Sequence, residues 1–189
     1  MQGRHVVPRS PRDHKTVGMI RAVTGFGRFV RRNFFSIVAL TLLADLGSKA
    51  WALRALAHAP HEAIPGRLSF VLAHNQSGAM GFLRQLGPEP RRALLVAVSM
   101  LAAVAITTFA ARTRPEERAL RTALALILGG ALGNVIDRVL RGAVVDFIDI
   151  VYAPGRHWHT FNVADVAIVV GAIVLAVAAR PPSARAATT

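Results

Sequence analysis

The chain has 189 residues, a formal charge of +13 from 23 Lys and Arg against 10 Asp and Glu, and 53% hydrophobic residues. No cysteine is present, which excludes disulfides, thiolate nucleophiles and cysteine-based zinc sites and leaves the redox compartment open. Apolar residues gather in long blocks bounded by arginines, so a bilayer rather than a water-excluding core is the indicated solvent; a nucleic-acid reading lacks the aromatic-studded basic patch it needs.

Residues 1–32 carry eight Lys or Arg, one Asp and scattered Pro and Gly, with no sustained apolar period. They read as a basic, mostly disordered cytoplasmic extension. The first apolar block, about 33–57, is long enough to cross a hydrocarbon layer of roughly 30 Å at about 1.5 Å per residue. A cleaved secretory signal ending at Ala55-Leu56-Ala57 is the alternative, but Asp45 and Lys49 do not suit the apolar region of a signal. Between 59 and 91, Pro60, Pro65, Gly66, Gly78, Gly81, Gly87, Pro88 and Pro90 surround a short apolar piece at 68–72. This predicts an extramembrane lobe of strands and turns.

Three further blocks, about 92–111, 119–140 and 162–179, are each about one crossing long. The predicted fold is therefore an α-helical integral membrane protein: four transmembrane helices over 33–180, a small β-containing lobe (about 59–91) between the first and second, and a tail at 181–189. Eight basic residues in the extension, Arg112, Arg114, Arg118 and Arg121 between the second and third spans, and Arg180 and Arg185 in the tail put both termini on the cytoplasmic side. Arg54, Arg67, Arg84, Arg91, Arg92, Arg141 and Arg156 on the opposite side dilute that bias.

Ionisable groups inside a span are costly, so those found there are functional candidates. The first span holds Asp45-Leu46-Gly47-Ser48-Lys49, whose spacing of four puts Asp45 and Lys49 on one face, within ion-pair reach. The third holds Gly133-Asn134-Val135-Ile136-Asp137-Arg138, with Asn134 and Arg138 one turn apart, and Asp137 reads as neutralising charge beside Arg138 at the membrane edge. Gly129 and Gly133 form a Gly-x-x-x-Gly step that favours close helix packing. Asp146 follows in Gly142-Ala143-Val144-Val145-Asp146-Phe147, and Asp165 opens the fourth span in Phe161-Asn162-Val163-Ala164-Asp165.

With the amino terminus inside, these polar ends fall on one membrane face, where Asp146 and Asp165 can approach. Two carboxylates without metal, thiol or serine suit aspartic hydrolysis, in which one takes a proton from water and its protonated neighbour polarises a carbonyl. No His-Glu-x-x-His motif, Gly-x-Ser-x-Gly elbow or Gly-rich phosphate loop competes. His157 and His159 read as interfacial loop residues rather than metal ligands, and Asp149 as a solvated loop carboxylate. Asp165, three residues after Asn162, also suits a purely capping role.

These motifs, in order, resemble those of the lipoprotein signal peptidases (signal peptidase II), over roughly residues 40–180. Asp45 to Lys49 is similar to that family's Asp-x-x-Ser/Thr-Lys element and Gly133 to Arg138 to its Gly-Asn-x-x-Asp-Arg element. The segments ending at Phe147 and Asp165 resemble those bearing its two catalytic aspartates. The resemblance implies a four-span aspartic endopeptidase of the bacterial inner membrane, without metal or cofactor. It would act as a monomer with its active site toward the outer face.

On this resemblance Asp146 and Asp165 are the catalytic pair, and Asn134, Arg138 and Asn162 support the pair or the substrate backbone. Asn75 joins them, in His74-Asn75-Gln76-Ser77-Gly78-Ala79-Met80-Gly81-Phe82, where Ser77 replaces the family's usual glycine and Met80 its usual aromatic. Lys49 reads as the partner of Asp45. The implied substrate is a diacylglyceryl-modified prolipoprotein, cut before its lipidated cysteine, with acyl chains among the helices and membrane phospholipid around them. Rival readings are a small transporter using Asp45, Asp137 and Asp165 as an ion path, which lacks repeated halves, and a noncatalytic assembly factor.

Overall fold

The computed structural model of the protein describes residues 12–76 and 82–179, with side chains from residue 33 onward apart from Phe82 and Arg84. Helix α1 spans Arg12–Ala55, followed by strands β1 (His61–Ile64) and β2 (Leu68–Asn75) and a short 3-10 turn (Phe82–Gln85). Helices α2 (Pro88–Arg112) and α3 (Arg118–Arg141), strands β3 (Val144–Ala153) and β4 (Arg156–His157), and helix α4 (Val163–Ala178) complete the order. Three helical segments are long and apolar enough to cross a bilayer: Asn33–Ala55, Pro88–Arg112 and Arg118–Arg141. Helix α4 is apolar but shorter, 16 residues or about 24 Å.

The bundle carries its large apolar side chains outward: Leu40, Leu43, Leu101, Val104, Val169 and Ile173 are all exposed. Water would penalise that surface and lipid does not. Phe34 and Val38 of α1, Ala103 and Ala110 of α2 and Leu124, Ala125 and Leu128 of α3 form one core cluster. Helix α3 lies at the centre, approached closely through glycines. A Cβ at Gly129 would stand 2.7 Å from Thr41 Cβ of α1, and one at Gly130 would stand 2.5 Å from the Ala164 carbonyl oxygen of α4. The Gly-x-x-x-Gly step thus packs α3 against α1, and the intervening Gly130 admits α4. Gly142, at φ 76°, ends α3 in the left-handed conformation, its N–H donating to the Arg138 carbonyl.

A four-stranded antiparallel sheet, in order β1-β2-β3-β4, sits at the end of the bundle where α1 and α3 stop. The expected lobe at 59–91 supplies only β1 and β2; β3 and β4 come from the connection between α3 and α4. In β3 the residues 144–148 are buried or nearly so from both sides, which erases the alternation that marks a half-exposed strand. β2 pairs with β3 so that Ala73 faces Asp146 and Asn75 faces Val144. Phe161 then bridges to Ile148. Its carbonyl accepts from the N–H groups of Phe147 at 3.0 Å and Ile148 at 2.9 Å, so the chain entering α4 is tied to the middle of β3.

Part of the anticipated disordered extension is helical, since α1 begins at Arg12. No proline interrupts residues 12–55, and Pro11 stands just ahead of the first helical residue, as suits a helix start. Residues 1–11, the tail from 180 onward, and the family departures at Ser77 and Met80 lie outside the described residues.

Candidate active site

Sequence spacing within α1 and α3 delivers an ionic cluster to the sheet end of the bundle. Lys49, only 1% exposed, donates to Asp45 Oδ2 on the preceding turn at 2.8 Å. It also reaches across to α3, where Asn134 Oδ1 accepts at 2.9 Å and Asp137 Oδ2 lies at 3.0 Å. The buried ammonium is thus met by two hydrogen-bond acceptors and a second carboxylate as ion-pair partner, as a buried lysine requires. Asp45 Oδ1 accepts from the N–H of Ala164 at 3.0 Å, fastening the first turn of α4 to α1. Asp137 Oδ2 accepts from the N–H of Val145 at 3.1 Å, and its Oδ1 pairs with Arg141.

The expected neutralisation of Arg138 by Asp137 is not what forms. Adjacent residues on a helix point to different faces, whereas residues four apart share one, so Asp137 selects Arg141. Lys49, read as the partner of Asp45 alone, bridges two helices. Arg141, signalled only by its spacing of four from Asp137, and the backbone amides of Val145 and Ala164, which no side-chain pattern signals, are the members that sequence reasoning missed.

Asp146 is 1% exposed, and its donors are amides: Asn162 Nδ2 donates to Oδ1 at 2.7 Å and Asn75 Nδ2 to Oδ2 at 3.0 Å. Asp165 is held the same way, Oδ1 accepting from Asn134 Nδ2 at 2.9 Å and Oδ2 from the Asn162 N–H at 3.2 Å. Asn162 Oδ1 accepts from the Asp165 N–H at 3.0 Å, completing a reciprocal capping box at the start of α4. The capping role of Asp165 is thus realised, and it occupies one carboxylate oxygen while the other turns to α3. Asn162, fully buried, touches both acids, one through its side-chain amide and one through its backbone N–H.

Asn134 is the junction between the two groups. Its Oδ1 accepts from Lys49 and from Asn162 Nδ2 at 3.2 Å, while its Nδ2 donates to Asp165. Arg138 donates from Nη1 to the Asn134 carbonyl at 3.3 Å, and its buried Nε has no hydrogen-bond partner among the described residues. Removal from water drives the carboxyl of Asp146 up to about 6; the Asn75 amide opposes that rise and the nearby Asp165 charge adds to it. All nine sequence-derived candidates, Asp45, Lys49, Asn75, Asn134, Asp137, Arg138, Asp146, Asn162 and Asp165, belong to this one linked set.

Asp149 is not a solvated carboxylate: it is 7% exposed and lies 2.8 Å from His157 Nδ1, where β3 and β4 pair. Two kinds of acid therefore coexist. Asp45 and Asp137 are matched by two cations, Lys49 and Arg141, and by backbone amides; Asp146 and Asp165 are held by neutral amides, near Arg138. A cation holds a neighbouring carboxylate in its ionised form more strongly than a neutral amide donor does.

Fold and site together define a multi-span helical membrane protein whose buried acids gather at one end of the bundle, under a small sheet. Residues 37–180 match the family described as "Signal peptidase (SPase) II". A lipoprotein signal peptidase from Geobacter metallireducens is 38% identical over 146 residues, covering 77% of this chain and 88% of that protein. One from Nitratidesulfovibrio vulgaris is 39% identical over 155 residues, covering 80% and 92%. A solved bacterial membrane enzyme superimposes with a TM-score of 0.68 at 27% identity, over 77% of this chain and 86% of that one. The chain belongs to the signal peptidase II family.

Proposed function

We propose that the protein is an aspartic endopeptidase that removes signal peptides from diacylglyceryl-modified prolipoproteins, cutting before the lipidated cysteine with Asp146 and Asp165. The observation that carries this reading is the contrast in donors: of the four acids linked at the site, these two alone are held by amides rather than cations. Asp45 and Asp137 balance Lys49 and Arg141, so the remaining charge is balanced when one proton is shared by Asp146 and Asp165 opposite Arg138. A singly protonated pair is the form that aspartic hydrolysis needs.

In this mechanism Asp146, the acid with the raised affinity for protons, donates to the scissile carbonyl oxygen as Asp165 takes a proton from the attacking water. The water oxygen bonds to the carbonyl carbon and a tetrahedral diol forms. Asp165 returns its proton to the leaving nitrogen as the C–N bond breaks, and Asp146 recovers its own from the diol. Asn134 and Asn162 hold the two acids in register, Asn75 orients Asp146, and the free Nε of Arg138 is available to a substrate carbonyl. Lys49, Asp45 and Asp137 brace α1, α3 and α4 around them.

Acyl chains lying against the helices supply the recognition, at about 0.8 kcal/mol for each buried methylene. The chain acts as a monomer in the bacterial inner membrane. Helix α4 serves as its fourth crossing, both termini are cytoplasmic, and the site faces the outer leaflet. The test is to follow processing of a lipidated precursor by Asp146→Asn and Asp165→Asn in membranes. Each variant is expected to lose on the order of 10³-fold or more of the cleavage rate while keeping its thermal transition. The unaltered enzyme should release a product whose new amino terminus is the lipid-bearing cysteine; near-normal cleavage by either folded variant overturns the assignment.

A further inference from the structure

Asp137 ties the end of α3 to the strand that carries Asp146. Fully buried, it places Oδ2 3.0 Å from Lys49 Nζ and within reach of the Val145 N–H, which donates at 3.1 Å, while its Oδ1 accepts from Arg141 one turn on. Val145 directly precedes Asp146, and its carbonyl accepts from Asn162 Nδ2 at 3.3 Å. One carboxylate thus fixes the backbone from which the first acid of the pair projects.

The two cations on Asp137 differ. Lys49 is shared with Asp45 and Asn134 inside the bundle, whereas Arg141 reaches in from the rim, its side chain 35% exposed. Any cation is favoured at the end of α3 by the helix dipole, and Arg92 of α2 supplies such a contact without touching an acid of the set: its Nη2 donates to the Val139 carbonyl at 3.2 Å. Arg141 does more than that. Without it, Asp45 and Asp137 would have Lys49 alone between them. That ammonium is one of the charges facing Asp146, with Asp165 of α4 and Arg138 of α3; the amides of Asn75 on β2 and of Asn162 are neutral.

We propose that Arg141 is a positioning residue of the peptidase: by matching the charge of Asp137 from the rim, it leaves Lys49 to the rest of the set and holds the backbone at Val145 so that Asp146 stays in register with Asp165. The inference rests on the peptidase reading and adds to it a residue that touches neither acid of the pair.

The test is the pH profile of precursor cleavage by the full chain in membranes. Asp146 gives up its proton as the pH rises through about 6, and an acid beside fewer positive charges keeps its proton longer, so losing a cation should carry the falling limb of kcat/KM upward. R141Q is expected to lower kcat about tenfold with KM within about twofold, and to move the limb up by roughly half a unit or more. R141K should restore the limb and most of kcat, whereas R92Q, which removes a cation from the same helix end, should leave both as they are. R141Q/D137N removes both charges at once and should return the limb to its usual place with kcat still low, because an amide is the weaker acceptor for the Val145 N–H. Unchanged kcat and limb in R141Q overturn the proposal. So does a fall in kcat with a lower thermal transition, an unmoved limb and no rescue by lysine, which marks a helix cap alone, and so does an equal shift in R92Q. Should R141Q fail to fold, the double variant decides: normal cleavage by it shows the pair to be dispensable and rejects the proposal, and a low kcat with the limb in place sustains it. Inactive D146N beside a normal R141Q sinks this inference alone, whereas cleavage by D146N sinks the peptidase reading beneath it.

Discussion

At the scale of single residues, the chemistry turns on which acids can hold a proton. Asp146 is desolvated and amide-bound, and its carboxyl is pushed up to about 6, so it is protonated in weakly acidic solution and ionises as the pH rises through that value. The proposed mechanism needs its proton, so kcat/KM for a lipidated precursor is expected to fall as the pH rises through about 6. A rate still climbing there would reverse the roles given to the two acids. Stability carries the same sign: the fold favours the protonated acid, so it weakens between the ordinary carboxylate range and about 6 as the proton is lost.

Asp149 provides the contrast. It is buried three residues from Asp146, yet it pairs with His157 and with no member of the central set. Asp149→Asn is expected to keep cleavage within about threefold of normal and to cost about 1 kcal/mol of stability, read as a small fall in the thermal transition. Loss of cleavage comparable to that of Asp146→Asn would mean that the wrong acid of β3 had been assigned. Asp45, Lys49, Asn134, Asp137, Asp146 and Asp165 were legible because polar groups in apolar blocks are conspicuous. Their partners were less so: Asp137 chose Arg141 across one turn, and Lys49 chose three oxygens on two helices, because tertiary distance decides among acceptors that the sequence leaves equivalent.

At the scale of elements, the site exists because α3 lets α1 and α4 come close. A methyl on Gly130 would meet the Ala164 carbonyl at 2.5 Å and one on Gly133 would press on Asp45, whereas one on Gly47 meets nothing within 4 Å. Gly130→Ala should therefore force α4 outward, costing about 1–3 kcal/mol and drawing Asp165 away from Asn134, with loss of both thermal stability and cleavage. Gly47→Ala should be neutral or stabilising by up to about 1 kcal/mol, because alanine is the better helix former. Equal behaviour of the two variants would refute close helix approach as the organising contact. Three of the helices were readable as apolar blocks of crossing length, whereas α4, equally apolar, is shorter than the block that announced it. β3 was not readable, since burial on both faces removes the two-residue alternation and Asp146 and Asp149 interrupt its apolar run. Nor was the helical start of α1, where basic residues suggested disorder but no proline opposed a helix.

At the scale of the whole molecule, the proposed activity requires the sheet and the acid pair to face the side of the membrane on which precursors present their signal peptides. The sheet lies at the end where α1 and α3 stop, and the α2–α3 connection lies at the other, beside Phe34. The natural chain has no cysteine, so single cysteines report sidedness without background. In intact cells, a membrane-impermeant thiol reagent should label Trp158→Cys, at an exposed position beside β4, and should reach Glu116→Cys and Ser183→Cys only after the membrane is opened. Labelling of Glu116→Cys in intact cells, with Trp158→Cys protected, would invert the molecule and put the acids on the cytoplasmic side. External labelling of both Trp158→Cys and Ser183→Cys would show that α4, about 24 Å long against a core of roughly 30 Å, turns back without crossing. Full crossing demands that its short apolar length be made up by local thinning of the bilayer at the substrate's point of entry or by the residues just beyond Ala178. Asp165 stands on the first turn of this short helix, so the topology of α4 and the depth of the acid pair in the membrane are one physical question.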